Sequence, residues 1–376
     1  MPESQNRIYL DYNASTPIAP KVRTLIAEML EEPFGNPSSS HWAGIPAKEA
    51  VEKARAQVAA LLGAMPNEIV FTSGGSEANN HVLKGVFFAA GGSDVHIITT
   101  QSEHPAITNP CRFLEKLGAK VTYLAVDGAG CFDPDDVRRA LQPSTRLISV
   151  MHANNETGTI QPIAEIAELV KGTGVLLHTD AAQSVGKIPC DVSKLGVDLL
   201  SVAGHKVYAP KGVGALYIRE GISLESFIHG AGHESGRRAG TENVLLNAAL
   251  GAACELAGGW VGMESIKALR DHFWNLLQAK FREKVALIGH PAERLPNTLN
   301  VGFVGHAGAE ILNRVPRLAA STGSACHSGS VEMSSVLRAM RVPPQIGMGA
   351  VRFSLGRGTT EEEIETVAEL IEQALV

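Results

Sequence analysis

The chain has 376 residues, a formal net charge of -6, and 44% hydrophobic, 19% charged and 5% aromatic residues. That balance fits a globular protein long enough for two domains. It excludes a strongly basic nucleic-acid surface and a ladder of aromatic side chains for stacking bases.

The opening stretch, MPESQNRIYLDYN, has no apolar run after its charges, so no signal peptide is read there. No segment reaches about 18 uninterrupted apolar residues, so no membrane span is expected and the chain is read as cytoplasmic. Between Glu68 and Arg219, seven short apolar runs read as strands: EIVFTS, VHIITT, KVTYLA, RLISVM, VLLHTD, DLLSVA and GALYIR. Helical patterns lie between most of them. PAITNPCRFLEKLG is one. DPDDVRRALQ is another, with Asp133 as N-cap and Pro134 at the first helical position. PIAEIAELVKGTG is a third, and it ends in glycine. Strand and helix in alternation predict an α/β fold with a mainly parallel sheet covered by helices. The last third reads as helices over Thr241–Gly258 and Met263–Lys284, then mixed short strands and helices, then a terminal helix. Thr360 and Glu363 form a capping-box pair for that last helix. The division expected is a large α/β domain over 15–258 and a smaller α+β domain from 1–14 and 259–376.

Five cysteines occur, at positions 111, 131, 190, 254 and 326, with no CxxC pair. An odd count without that spacing predicts reduced thiols rather than a disulfide framework or a zinc site. Cys326 differs from the rest. It sits in STGSACHSG, among residues too small to pack, and this reads as a mobile loop carrying a thiol.

Chemistry-bearing residues fall at successive strand ends. TSGGSEANN follows a strand and opens a helix, so Gly74, Gly75 and Ser76 offer a phosphate cradle; taken alone, a tight turn explains them equally well. His104 follows the next strand, in SEHPA, and Asn154 and Asn155 follow another. Asp180 ends VLLHTD, where ligands of open α/β sheets bind and where it also suits a helix N-cap. Lys206 lies just past SVAGHK; partial burial lowers an amine's pKa and frees it to form a Schiff base. Arg352, in RFSLG, suits capture of a carboxylate or an ordinary ion pair. Together these meet the needs of pyridoxal phosphate acting on an amino acid: a phosphate site, an aldehyde acceptor, a partner for the pyridine nitrogen and a carboxylate clamp.

The motifs YLDYNASTP, GNPSSSHWAG, FTSGGSEANN, SEHPA, ANNETGTIQPI, DAAQSVGK, DLLSVAGHK, SGRRAGTEN, STGSAC and RFSLGRGTTEEEIE run almost end to end. With them the chain resembles the cysteine desulfurases, class V aminotransferases of fold type I. The resemblance implies that Lys206 carries pyridoxal 5'-phosphate, that Asp180 pairs with the pyridine nitrogen and that Gln183 meets the ring hydroxyl. It implies that His104 stacks on the ring and moves protons. Gly75, Ser76 and His205 hold the phosphate, and Thr241 reaches the phosphate of the neighbouring subunit of a homodimer. Asn155 serves cofactor and substrate; with Asn36 and Arg352 it binds the substrate carboxylate. Cys326 takes sulfur from L-cysteine as a persulfide, leaving L-alanine, for iron–sulfur cluster assembly or thio-modification through an acceptor protein. His327 follows the cysteine where serine or threonine is common, Ala203 stands where serine is usual, Ser76 where threonine is frequent, and Tyr12 where many relatives have asparagine. DYN and ACHS also resemble selenocysteine lyases, so L-selenocysteine is a second substrate reading. A non-catalytic sulfur carrier or dimer partner on the same fold is a third, and Lys206 argues against it.

Overall fold

The structure is a computed structural model that describes residues 7–327 and 330–375; for 324–327, 330 and 331 it describes the backbone alone. Its strands, in chain order, are β1 (Ile8–Tyr9), β2 (Ile69–Thr72), β3 (His96–Thr100), β4 (Lys120–Leu124), β5 (Thr145–Ser149), β6 (Leu176–Asp180), β7 (Leu199–Ala203), β8 (Gly214–Ile218), β9 (Val285–Ile288), β10 (Thr298–Phe303), β11 (Leu318–Ala319), β12 (Ser321–Thr322), β13 (Ser324–His327), β14 (Ser330–Met333) and β15 (Ala350–Ser354).

All seven predicted runs form one seven-stranded sheet, ordered β2-β8-β7-β6-β5-β3-β4. Only β8 runs against the others, pairing antiparallel with both β2 and β7. The strands are apolar on both faces because both faces are covered. Ile98, Ile148, Leu177, Leu200 and Ala215 point into one core, shared with helices Gly44–Leu62, Ile163–Val170 and Val244–Gly258. Their neighbours Ile97, Leu147, Leu199 and Leu216 point the other way, onto helices Gly75–Ala89 and Pro105–Glu115. That two-residue alternation is the pleat of the sheet.

A separate core surrounds the antiparallel sheet β12-β15-β10-β9 and the helices Met263–Phe281 and Glu361–Leu375. Ile8 and Leu10 belong to it, since β1 runs parallel to β11. Ala19 and Val22 pack instead with the large sheet's core. The predicted caps form. Asp133 accepts from the Asp135 amide at 2.9 Å. The Thr360 amide donates to Glu363 at 3.0 Å, and the Glu363 amide donates back to the Thr360 hydroxyl at 3.2 Å.

The segment around Cys326, read as a mobile loop, contains a hairpin: β13 pairs antiparallel with β14, Cys326 opposite Val331. The Ser328–Gly329 dipeptide, a turn signal between two short runs, was the clue in the sequence. The side chains of Cys326 and His327 lie outside the described residues. Among the described residues no single helix is long and apolar enough to cross a membrane.

Candidate active site

The parallel strands all end on one side, and a cavity of about 670 Å³ opens there. Its lining includes Gly75, Ser76, His104, Asn155, Asp180, Gln183, His205, Lys206 and Arg352. Most come from the ends of β2, β3, β5, β6 and β7 or the turns after them, which is where an open α/β sheet gathers its ligand groups, while Arg352 lies on β15.

The cradle follows β2. Gly74 has φ 149° and ψ 179°, a backbone shape open to glycine alone. It starts the helix Gly75–Ala89, whose first amides have no helical acceptor and face the cavity. A side chain at Gly75 would come within 3.3 Å of the Ala203 methyl, so cradle and β7 end are in close contact. His205 stands beside them with a buried Nδ1 that has no partner, and burial pushes its pKa down to about 4. It is a neutral ring with one ring nitrogen to offer.

Lys206 extends from the tight turn Gly204–Lys206 after β7. Its Nζ donates to the carbonyls of Asn13 and Ala14, both at 2.7 Å. Burial first, then the nearby Arg352 guanidinium, lowers its pKa from 10.5 to about 8. The unfolded chain therefore holds a proton between about pH 8 and 10.5 that folded Lys206 has released. A group depressed in this way makes a contribution to stability that rises with pH across that window. Melting of the cofactor-free protein as a function of pH is expected to show this rise, and Lys206→Met is expected to flatten it.

Asp180 ends β6 and is buried. Its Oδ2 accepts from Asn79 Nδ2 at 2.6 Å, and its Oδ1 accepts from the Ala182 amide at 3.0 Å. Asn79 lies one helical turn beyond Ser76, inside the quoted TSGGSEANN, yet sequence reasoning passed over it. Asn79→Ala removes a hydrogen bond to a charged group in a buried place. A loss of about 1.5–3 kcal/mol in unfolding free energy is expected from denaturant titration.

His104 caps the helix Pro105–Glu115, its Nδ1 accepting from the Ala106 amide at 3.1 Å. That bond leaves any ring proton on Nε2. Burial, with Lys206 adding repulsion, keeps its pKa below the usual histidine value although Asp180 pulls the other way. Beneath it Glu103 is fully enclosed, accepting from Thr100 Oγ1 at 2.7 Å and the Met151 amide at 3.0 Å. Burial raises its pKa to about 8, so it is a neutral acid at pH 7 that ties the ends of β3 and β5 together.

Arg352 lies on β15. Its Nη1 donates to the Asn155 carbonyl at 2.8 Å, and its Nη2 donates to Asp11 at 2.8 Å and to the Ser321 hydroxyl at 2.9 Å. Ser321, a few residues before Cys326, thus roots the hairpin at the cavity rim. Ser334 on the hairpin's far side donates to Glu156 at 2.6 Å, beside Asn155.

Two predicted residues do not reach the cavity of their own chain. Asn36 is exposed, its side chain accepting from the Ser38 amide at 2.9 Å. Thr241 is exposed too. The segment that carries it is firmly held: Arg238 donates to Glu77 at 2.8 Å, and Glu234 accepts from Arg55 at 2.6 Å and from the Phe71 amide at 3.0 Å. Sequence reasoning also missed Asn13, whose contacts are all distant in the chain.

The residues present fit pyridoxal phosphate. A helix N-terminus with open space at Gly74 suits a phosphate, and His205, whose Nδ1 has no partner, lines the same cavity. A low-pKa amine suits an aldehyde, and a buried carboxylate held by an amide suits a protonated ring nitrogen.

The Aminotransferase class-V family model matches residues 8–367. A protein of Dictyoglomus turgidum named Cysteine desulfurase IscS is 46% identical over 375 residues, covering 99% of this chain and 95% of that one. Cysteine desulfurase 2 of Trichormus variabilis is 48% identical over 370 residues, covering 97% and 92%. Among solved structures, a NifS-like protein superposes with a TM-score of 0.92 at 36% identity, covering 98% of this chain and 99% of its own. The structure of SspA in complex with cysteine gives a TM-score of 0.83 at 36% identity, covering 92% and 98%.

Proposed function

The chain belongs to the class V aminotransferases, in their cysteine desulfurase branch, and on that premise we propose that it holds pyridoxal 5'-phosphate on Lys206 and moves sulfur from L-cysteine to Cys326. The observation that carries this reading is the meeting of the Gly75–Ser76 helix terminus, His104, Asp180, Gln183, His205 and Lys206 around one cavity.

When bound, the cofactor supplies an aldehyde for the substrate amine and a ring that takes up the electrons released at Cα. The chain's residues do the rest. The cradle and His205 bind phosphate. Asp180, a buried carboxyl group held by Asn79 and the Ala182 amide, would pair with the ring nitrogen. Lys206, with its lowered pKa, takes and returns protons near neutrality, and His104 offers Nε2 for the same purpose. Arg352 and Asn155 orient the substrate carboxylate; Asp11, already paired with Arg352, moderates that charge.

The Cys326 thiolate then attacks the substrate sulfur. A sulfur–sulfur bond forms and the carbon–sulfur bond breaks, its electron pair staying with carbon. That carbon takes a proton and leaves in L-alanine, while the sulfur, oxidised to the persulfide level, stays on Cys326. The balance needs no outside oxidant. An acceptor protein removes the sulfur, for iron–sulfur clusters or thio-modification, in the cytoplasm. Asn36 and Thr241 act in a homodimer, with Thr241 reaching the neighbour's phosphate. Alanine measured after incubation with L-cysteine and a reducing thiol tests the reading. Stoichiometric sulfide and alanine support it; no alanine from L-cysteine overturns it.

A further inference from the structure

Lys187 is a buried amine for which the mechanism above has no use. Its Nζ donates to Gln183 Oε1 at 2.9 Å and to Asn13 Oδ1 at 3.1 Å. No carboxylate among the described residues lies within ion-pair distance of it. A buried cation with only neutral acceptors is costly, and it is met here by two further cations, Lys206 and Arg352. Burial first, then those two charges, pushes its pKa down to about 7.

We propose that Lys187 is a positioning residue that fixes which way the Gln183 amide faces and shares that task at Asn13 with Asn297, whose Nδ2 donates to the same Asn13 Oδ1 at 3.1 Å. An amine offers hydrogens, so both amide oxygens turn to it and both NH₂ groups turn away. Gln183 Nε2 then donates to the Asn13 carbonyl at 2.9 Å and stands at the cavity wall as a donor. That same carbonyl receives the Lys206 amine at 2.7 Å. The Asn13 NH₂ donates to Thr298 Oγ1 at 2.9 Å and to the Asn155 carbonyl at 3.3 Å, the carbonyl that also holds Arg352. Lys187 thus helps set the polarity of a network reaching Lys206, Gln183, Asn155 and Arg352. Without it, only the Asn13 carbonyl still holds the Gln183 amide in this sense, and an amide that turns over presents its oxygen to the cofactor's ring oxygen and repels it. The inference rests on the cofactor reading above.

A double-mutant cycle on cofactor retention tests it, read as the loss of yellow colour on dialysis rather than as turnover. Lys187→Met is expected to weaken retention about tenfold, while borohydride still traps the cofactor on Lys206. In a Gln183→Leu background, Lys187→Met is expected to add less than twofold, because the amide it orients is gone. Should Lys187→Met lower the melting temperature too far for loading, Lys187→Gln takes its place. Its amide still donates to one oxygen, and a loss of about threefold is expected, again absent in the Gln183→Leu background. Unchanged retention, or effects that multiply across the cycle, overturns the proposal. Wild-type protein that never takes up pyridoxal phosphate instead overturns the cofactor reading itself.

Discussion

Lys206→Ala is expected to yield a folded, colourless protein whose alanine production from L-cysteine falls by about a thousandfold or more, within the range for losing a covalent anchor and a proton carrier together. The expectation follows from where the amine sits. Lys206 follows the end of β7, and its Nζ is held by the Asn13 and Ala14 carbonyls, with a pKa lowered to about 8. The cavity's other lysine, Lys211, comes from a separate turn. Supplying a small primary amine in solution is expected to restore part of the rate, since proton transfer can then be carried by the added base. Absorbance of the purified variant and alanine release with and without the amine provide the check.

Cys326→Ala is expected to have an effect of similar size through a different step. The cavity is untouched, so colour and cofactor retention match the wild type. Alanine formation falls by about a thousandfold, because no thiolate remains to take the sulfur. The four other cysteines do not replace it. Cys111, Cys190 and Cys254 are buried, and burial pushes their pKa values to about 12; Cys131 is raised to about 11. Such thiols are protonated at pH 7 and poor nucleophiles. A Cys326→Ala protein that forms alanine at the wild-type rate contradicts the assignment.

The large sheet was legible because its physics is local. Strands buried on both faces read as unbroken apolar runs, as in Leu199–Ala203, and caps such as Asp133 and Thr360 act within a few residues. The strand ends then located His104, Asp180 and Lys206 without any knowledge of their neighbours. What local patterns do not encode is pairing across the chain. Asn13 joins Lys187, Lys206, Asn155 and Thr298, each far away in sequence, and its side chain gave no signal beside Tyr12. The hairpin at Ser324–Met333 was missed for a related reason: small residues carry no apolar alternation, so only the Ser-Gly dipeptide in the sequence hinted at it. Asn36 and Thr241 lie outside their own chain's cavity, and a reading of one chain contains no second copy to place them against.

The central claim is that one particular amine anchors the cofactor. Reducing the yellow protein with borohydride, digesting it and mapping the pyridoxyl-bearing peptide tests that claim most directly. The account predicts a single modified residue, Lys206. A label on Lys187 or Lys211, or no label on any lysine, contradicts it.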